Sequence, residues 1–141
     1  MNDPQTKAFS PGQFAEFSKT VSEADVYAYA GITGDFNPMH INREYAEKSR
    51  FKTRIAHGML TAGLVSAIIG TKLPGPGTIY LKQDLTFKAP VRYNDTITAR
   101  VEIEKQIVEK NRLVLKTTCT NQDGILVLDG SALVIAPREL C

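Results

Sequence analysis

The distribution of apolar side chains divides the chain near residue 77. Before it the spacing is mostly helical; after it apolar and polar residues alternate. Residues 58–73, GMLTAGLVSAIIGTKL, form the most apolar stretch. Met59, Leu60, Leu64, Val65, Ile68, Ile69 and Leu73 recur there at the intervals of an α-helix. Ala62, Gly63, Ser66, Ala67 and Gly70 fill most of the remaining positions, so few charged side chains are left to face water. The pattern predicts a helix buried nearly all round, broken by LPGPG at 73–77.

Beyond residue 77 the period is two. Ile79, Leu81, Leu85 and Phe87 alternate with Lys82, Asp84 and Lys88. Ile97, Ala99, Val101 and Ile103 alternate with Thr98, Arg100, Glu102 and Glu104. RLVLKTTCTN and ILVLDGSALVIA continue the rhythm, with turn signals at APVRYND, EKN and NQDG. Four long strands of this kind predict an antiparallel sheet, and GQFAEFSKTVS offers a fifth strand near the start. A sheet of about five strands with one apolar helix is an α+β architecture, in which wrapping the sheet around the helix buries both apolar surfaces. One helix covers limited sheet area and an open edge invites pairing, so a homodimer is expected.

The first third reads as helix and loop. Ser22 suits an N-cap ahead of EADVYAYAGIT, with Glu23 and Asp25 in the first turn and Gly31 and Gly34 as stop signals. Asn42 suits a cap for a short helix, NREYAEKSR. Between them lies GDFNPMHIN, residues 34–42. Pro38 biases Asn37 toward extended backbone, which places Asp35 and His40 on a loop of partly fixed shape. A carboxylate near an imidazole is a general acid–base pair. The same residues are also ordinary turn formers, so spacing alone leaves both readings open.

Gly58 stands where the apolar helix begins. The first turn of a helix carries unpaired N–H groups and partial positive charge, and a residue without a Cβ admits a ligand oxygen to the backbone, as an oxyanion site requires. A glycine that merely permits tight entry into a helix is the plainer reading. His57 is either a second catalytic candidate or a structural partner of the loop. Lys48, Arg50, Lys52 and Arg54, in KSRFKTR, could meet phosphates of an anionic ligand, but most read as a solvated face.

Composition narrows the field. With 141 residues, 43% hydrophobic content and a net charge of +2, the chain is expected to form one globular domain over residues 1–141. No run of like charge argues for nucleic acid. No stretch approaches a membrane span or a signal segment. Cys119 and Cys141 lie far apart and read as free thiols, which fits a cytoplasmic protein. No Cys/His group has zinc spacing, so no metal is expected. The glycines of 75–77 do not open a helix after a strand, and no serine occupies a nucleophile elbow.

GDFNPMHIN, then RIAHGMLTAGLVSAIIG, then LPGPGTIYLKQDLTFKAPVRYNDTI together resemble the MaoC-like, (R)-specific enoyl-CoA hydratase family. The resemblance runs from about residue 10 to 136 and rests on Asp-x-Asn-Pro-x-His followed by His-Gly-Met. It implies the hot-dog fold, an antiparallel sheet around a long central helix, as a homodimer. It implies a catalytic pair in Asp35 and His40 that holds one water, an oxyanion donor in the N–H of Gly58, a serine supporting the aspartate in Ser66, and a loop-shaping role for Asn37. The implied reaction is syn addition of water to a trans-2-enoyl-CoA, giving the (R)-3-hydroxyacyl-CoA. No cofactor is implied, since coenzyme A enters as part of the thioester substrate. Thioesterases and dehydratases share the fold but commonly carry an acid on the central helix, where residues 58–73 have none. A non-catalytic acyl-CoA-binding module is the remaining alternative.

Overall fold

A computed structural model describes residues 8–138. Strand β1 (Phe14–Thr20) leads into helix α1 (Glu23–Thr33) and the short helical segments α2 (Pro38–Ile41) and α3 (Arg43–Glu47). Helix α4 (Gly58–Thr71) follows, then strands β2 (Ile79–Phe87), β3 (Thr96–Ile107), β4 (Arg112–Thr120) and β5 (Leu126–Ile135). All strands belong to one antiparallel sheet in the order β1-β3-β4-β5-β2. The α+β class and the hot-dog arrangement expected from the sequence are both present: the sheet closes on α4, which packs chiefly against β3, with β1 and β4 beside it.

Alternation explains the core. On β3 the residues Ile97, Ala99, Val101 and Ile103 are buried, and on β4 so are Leu113, Leu115, Thr117 and Cys119. These inward faces meet Leu64, Val65, Ile68 and Ile69 of α4. A strand displays every second side chain on one face and a helix every third or fourth, so two simple periods assemble one apolar interior. Burial pushes the Cys119 thiol up to about 12, because a thiolate loses its hydration there. Cys141 lies outside the described residues.

Two expectations about burial need correction. In the single chain, α4 is not enclosed all round: Gly63, Ser66, Ala67 and Gly70 are exposed, and Met59 is 54% exposed. Small side chains keep this face narrow and uncharged without covering it. The alternating residues of β2 also remain open, since Ile79, Leu81 and Phe87 are exposed and only Leu85 packs on the core. β2 is an edge strand, and its register against β5 shifts between Tyr80 and Lys82. Close pairing further along depends on Gly130, where a Cβ would stand 1.9 Å from the carbonyl oxygen of Asp84.

The helix signals act as read. Ser22 and Asp25 form a reciprocal cap, each side chain accepting the other's backbone N–H, at 3.1 and 3.0 Å. Gly31 lies inside α1, whereas Gly34 ends it in the left-handed region at φ +82°. Asn42 caps α3 by accepting the Tyr45 N–H at 3.0 Å.

Candidate active site

The Asp-Phe-Asn-Pro stretch builds itself from local hydrogen bonds. Asp35 Oδ1 accepts the N–H of Asn37 at 3.2 Å, and Asn37 Oδ1 accepts that of Met39 at 3.1 Å. Asn37 is thereby the N-cap of α2, with Pro38 in the first turn, where its missing N–H costs nothing. His40 thus sits on a helical turn and not on a loop, a correction to the sequence reading. Proline opposes helix at the residue before it and favours helix after it. The turn chemistry expected from the sequence is present, and it fixes where Asp35 and His40 stand relative to each other.

Backbone carbonyls fix both imidazoles. His40 Nδ1 lies 2.7 Å from the carbonyl oxygen of Ile55. A carbonyl only accepts, so Nδ1 carries the hydrogen, and neutral His40 keeps its lone pair on Nε2. His57 Nε2 lies 2.9 Å from the carbonyl oxygen of Asp35 and donates to it for the same reason. The two rings stack with centroids 3.8 Å apart. His57 is 2% exposed. It ties the start of the loop to the N-terminus of α4, which is the structural role weighed above.

Further bonds hold this frame. The N–H of Ile55 donates to Met39 at 3.3 Å, and that of Ala56 donates to Val91 at 2.7 Å. Tyr93 donates its hydroxyl to the carbonyl of His40. Arg54 stands 4.6 Å from the Tyr93 ring centroid and binds Glu23 Oε1 at 3.0 Å and the Tyr27 hydroxyl at 2.7 Å. Sequence reasoning missed Tyr93 and the task of Arg54. The turn signal around residues 89–95 concealed a side chain that reaches back 53 positions.

Asp35, His40 and His57 each offer a ligand-type atom within 4.8 Å of the others. A span of that size between a carboxylate oxygen and a ring nitrogen is one that a single water bridges with two ordinary hydrogen bonds. The same trio could face a cation, since an imidazole that gives one N–H to a carbonyl keeps its other nitrogen for a ligand. Burial lowers the pKa of His40, and the neighbouring His57 adds to this; the Ile55 carbonyl and Asp35 pull the other way. The neutral ring is thereby favoured.

His40 and Gly58 line one cavity of about 430 Å³, with Phe51, Met59, Phe87 and Pro90 among its walls. Gly58 opens α4, so its N–H belongs to the unpaired first turn. A Cβ on Gly58 would stand 2.6 Å from Phe87 Cε1, which gives the glycine a packing reason as well. Ser66 lies on the exposed face of α4, eight residues and about 12 Å of helix beyond Gly58.

The MaoC like domain matches residues 7–123. The chain belongs to the MaoC-like family. An (R)-specific enoyl-CoA hydratase of Rhodospirillum rubrum is 52% identical over 128 residues, covering 91% of this chain and 88% of that one. Among solved structures, this MaoC-like chain resembles the (R)-hydratase of Aeromonas caviae involved in PHA biosynthesis, at a TM-score of 0.91 and 40% identity over 94% of this chain and 100% of the other. It likewise resembles the R-hydratase PhaJ1 of Pseudomonas aeruginosa, at a TM-score of 0.88 and 44% identity, covering 93% and 84%.

Proposed function

We propose that the protein catalyses reversible, (R)-specific addition of water to trans-2-enoyl-CoA thioesters, with Asp35 and His40 as the water-handling pair and the Gly58 N–H as oxyanion donor. The observation that carries this reading is the approach of the Asp35 carboxylate and the His40 ring to within 4.8 Å, beside the cavity that His40 and Gly58 share.

The chemistry follows from the hydrogen-bond roles. A carboxylate and a neutral Nε2 are both acceptors. A water between them donates both hydrogens and leaves its oxygen lone pairs free to attack C3. As the C3–O bond forms, one group takes a proton from the water. Electron density moves through the C2–C3 bond to the thioester oxygen, and the Gly58 N–H with the α4 N-terminus stabilises that charge. Loss of one such donor in other enzymes costs about 3–4 kcal/mol. The proton held by the pair then passes to C2. The two groups share one proton inventory, so base and acid are assigned to the pair and not to its members. The thioester itself acidifies C2, so the reading invokes no metal or prosthetic group.

A homodimer belongs to the same proposal. The small-residue face of α4 and the open apolar face of the edge strand β2 are what a second copy would cover. A cytoplasmic setting is proposed from the scattered cysteines. Among the described residues, no helix is long and apolar enough to cross a membrane.

The deciding experiment is hydration of crotonyl-CoA, followed by the fall in enoyl thioester absorbance and by the configuration of the product. Free thiol release without hydration would replace this reading with thioester hydrolysis. Binding of acyl-CoA without turnover would replace it with a carrier module.

A further inference from the structure

Helix α2 is too short to hold itself. It has four residues, Pro38–Ile41, and an isolated turn of that length is unstable in water. The last carbonyls of a helix lack partners within it, so the donors they find elsewhere decide how firmly the turn is held. The Pro38 carbonyl accepts the Asn42 N–H at 2.9 Å, and the Met39 carbonyl accepts the Ile55 N–H at 3.3 Å. The His40 carbonyl accepts the Tyr93 hydroxyl. Of these three donors only Tyr93 uses a side chain, and it comes from the turn between β2 and β3.

Tyr93 is itself held by its surroundings. Residues 91–93 run beside 55 and 56: Ala56 donates its N–H to the Val91 carbonyl at 2.7 Å, and Ile55 pairs with Arg92 in an antiparallel bridge. The next residue, Asn94, sits at φ +70° and donates its N–H to the Val21 carbonyl at 2.7 Å. Over the ring lies the Arg54 guanidinium, 4.6 Å from its centroid. Glu23 Oε1 at 3.0 Å and the Tyr27 hydroxyl at 2.7 Å anchor that guanidinium, and the Arg54 side chain is only 19% exposed. A cation stacked on an aromatic face restrains the ring beneath it. The basic run at residues 48–54 is thus not one solvated face, since Arg54 is drawn inward.

His40 is therefore gripped at two atoms, its ring by the Ile55 carbonyl at Nδ1 and its backbone by Tyr93 at the carbonyl oxygen. Neither Tyr93 nor Arg54 lines the cavity, so neither touches a substrate seated there. Resting on the hydratase reading, we propose that Tyr93 is a positioning residue for the reaction: its hydroxyl, with Arg54 over its ring, holds the His40 imidazole where the attacking water needs it. A misplacement of about 1 Å at a reacting group costs roughly a hundredfold in rate. With the Ile55 bond still in place, loss of the hydroxyl shifts the imidazole by less than that. Tyr93→Phe keeps the ring, the stacked cation and the buried volume, and deletes the donor alone.

The test is Tyr93→Phe in the full chain. With crotonyl-CoA, kcat is expected to fall about five- to fiftyfold while KM moves by less than about twofold. Arg54→Gln is expected to lower kcat by about two- to tenfold. The double variant should lie within about twofold of Tyr93→Phe alone, because both changes act through one bond. An unchanged kcat in Tyr93→Phe, a loss carried by KM, or a loss no larger than the fall in folded protein by circular dichroism would overturn the proposal. Losses that multiply in the double variant would do the same. A second measurement needs no turnover and so separates this proposal from the hydratase reading. The chain has two histidines, and their imidazole nitrogen NMR signals can be told apart with His40→Ala. In Tyr93→Phe the His40 signals are expected to shift or broaden more than those of His57. That result supports the placement of His40 by Tyr93 even if no thioester is hydrated; unaltered His40 signals, or equal changes in both rings, refute it.

Discussion

The ring of Phe87 occupies the space that a side chain on Gly58 would need, with Cε1 only 2.6 Å from the position of a Cβ there. The donor proposed for the thioester oxygen and a wall of the cavity are therefore set by one contact. Gly58→Ala is expected to turn the half-exposed Phe87 ring out of its place at the cavity wall and to lower hydration by roughly ten- to a hundredfold. Adding Phe87→Leu to that variant should recover part of the rate. Steady-state rates of the single and double variants with crotonyl-CoA check this; full activity in Gly58→Ala would contradict it.

Asp35→Asn and His40→Ala are each expected to fold normally and lose hydration by roughly a hundred- to ten-thousandfold. Asp35 is 51% exposed and His40 half-buried, so neither change empties the core. Circular dichroism melts alongside crotonyl-CoA assays separate chemistry from folding. Near-normal turnover in either folded variant would remove the pair from the mechanism.

The pH profile has a definite sign. The proposed mechanism needs neutral His40, and burial holds its pKa below the ordinary 6.5. Activity is present above that lowered value and disappears as pH falls through it. The acid limb of kcat/KM assigned to His40 should therefore be centred below pH 6.5. A limb centred above that value would mean that the surroundings of the ring favour the imidazolium, against the effect of burial, and activity lost as pH rises instead would mean that the ring works as a cation.

His57 is expected to report on stability first. Its Nε2–H satisfies the Asp35 carbonyl from a position 2% exposed. His57→Ala should cost about 1–3 kcal/mol by leaving that carbonyl without its donor. His57→Gln keeps an N–H within reach and should regain part of the loss. Urea unfolding of the three proteins measures both effects.

Much of this arrangement was legible in the residue order. The period change near residue 77, the caps at Ser22 and Asn42 and the stop at Gly34 depend on local backbone geometry, which short windows of sequence encode. Asp35 and His40 could be singled out because Pro38 restricts the chain between them. The stacked pair His40 and His57 was not legible as a contact, since 17 positions separate them and the Ile55 carbonyl orients only one ring. Tyr93 and Arg54 were hidden for the same reason. The open face of α4 was misjudged because hydropathy reports a wish for burial and not the identity of what does the burying.

The proposed catalytic pair and oxyanion donor all fall between residues 35 and 58, and the facing part of the cavity wall comes from residues 87–91 and 127–128. The wall is therefore shared, since Phe51, Ile55, Met59 and Thr61 close it from in and next to the stretch that carries the proposed site. A library confined to Pro90, Val127 and Leu128 would vary the acyl-facing wall while leaving the Phe87 ring against Gly58, so only part of this scaffold is free for engineering.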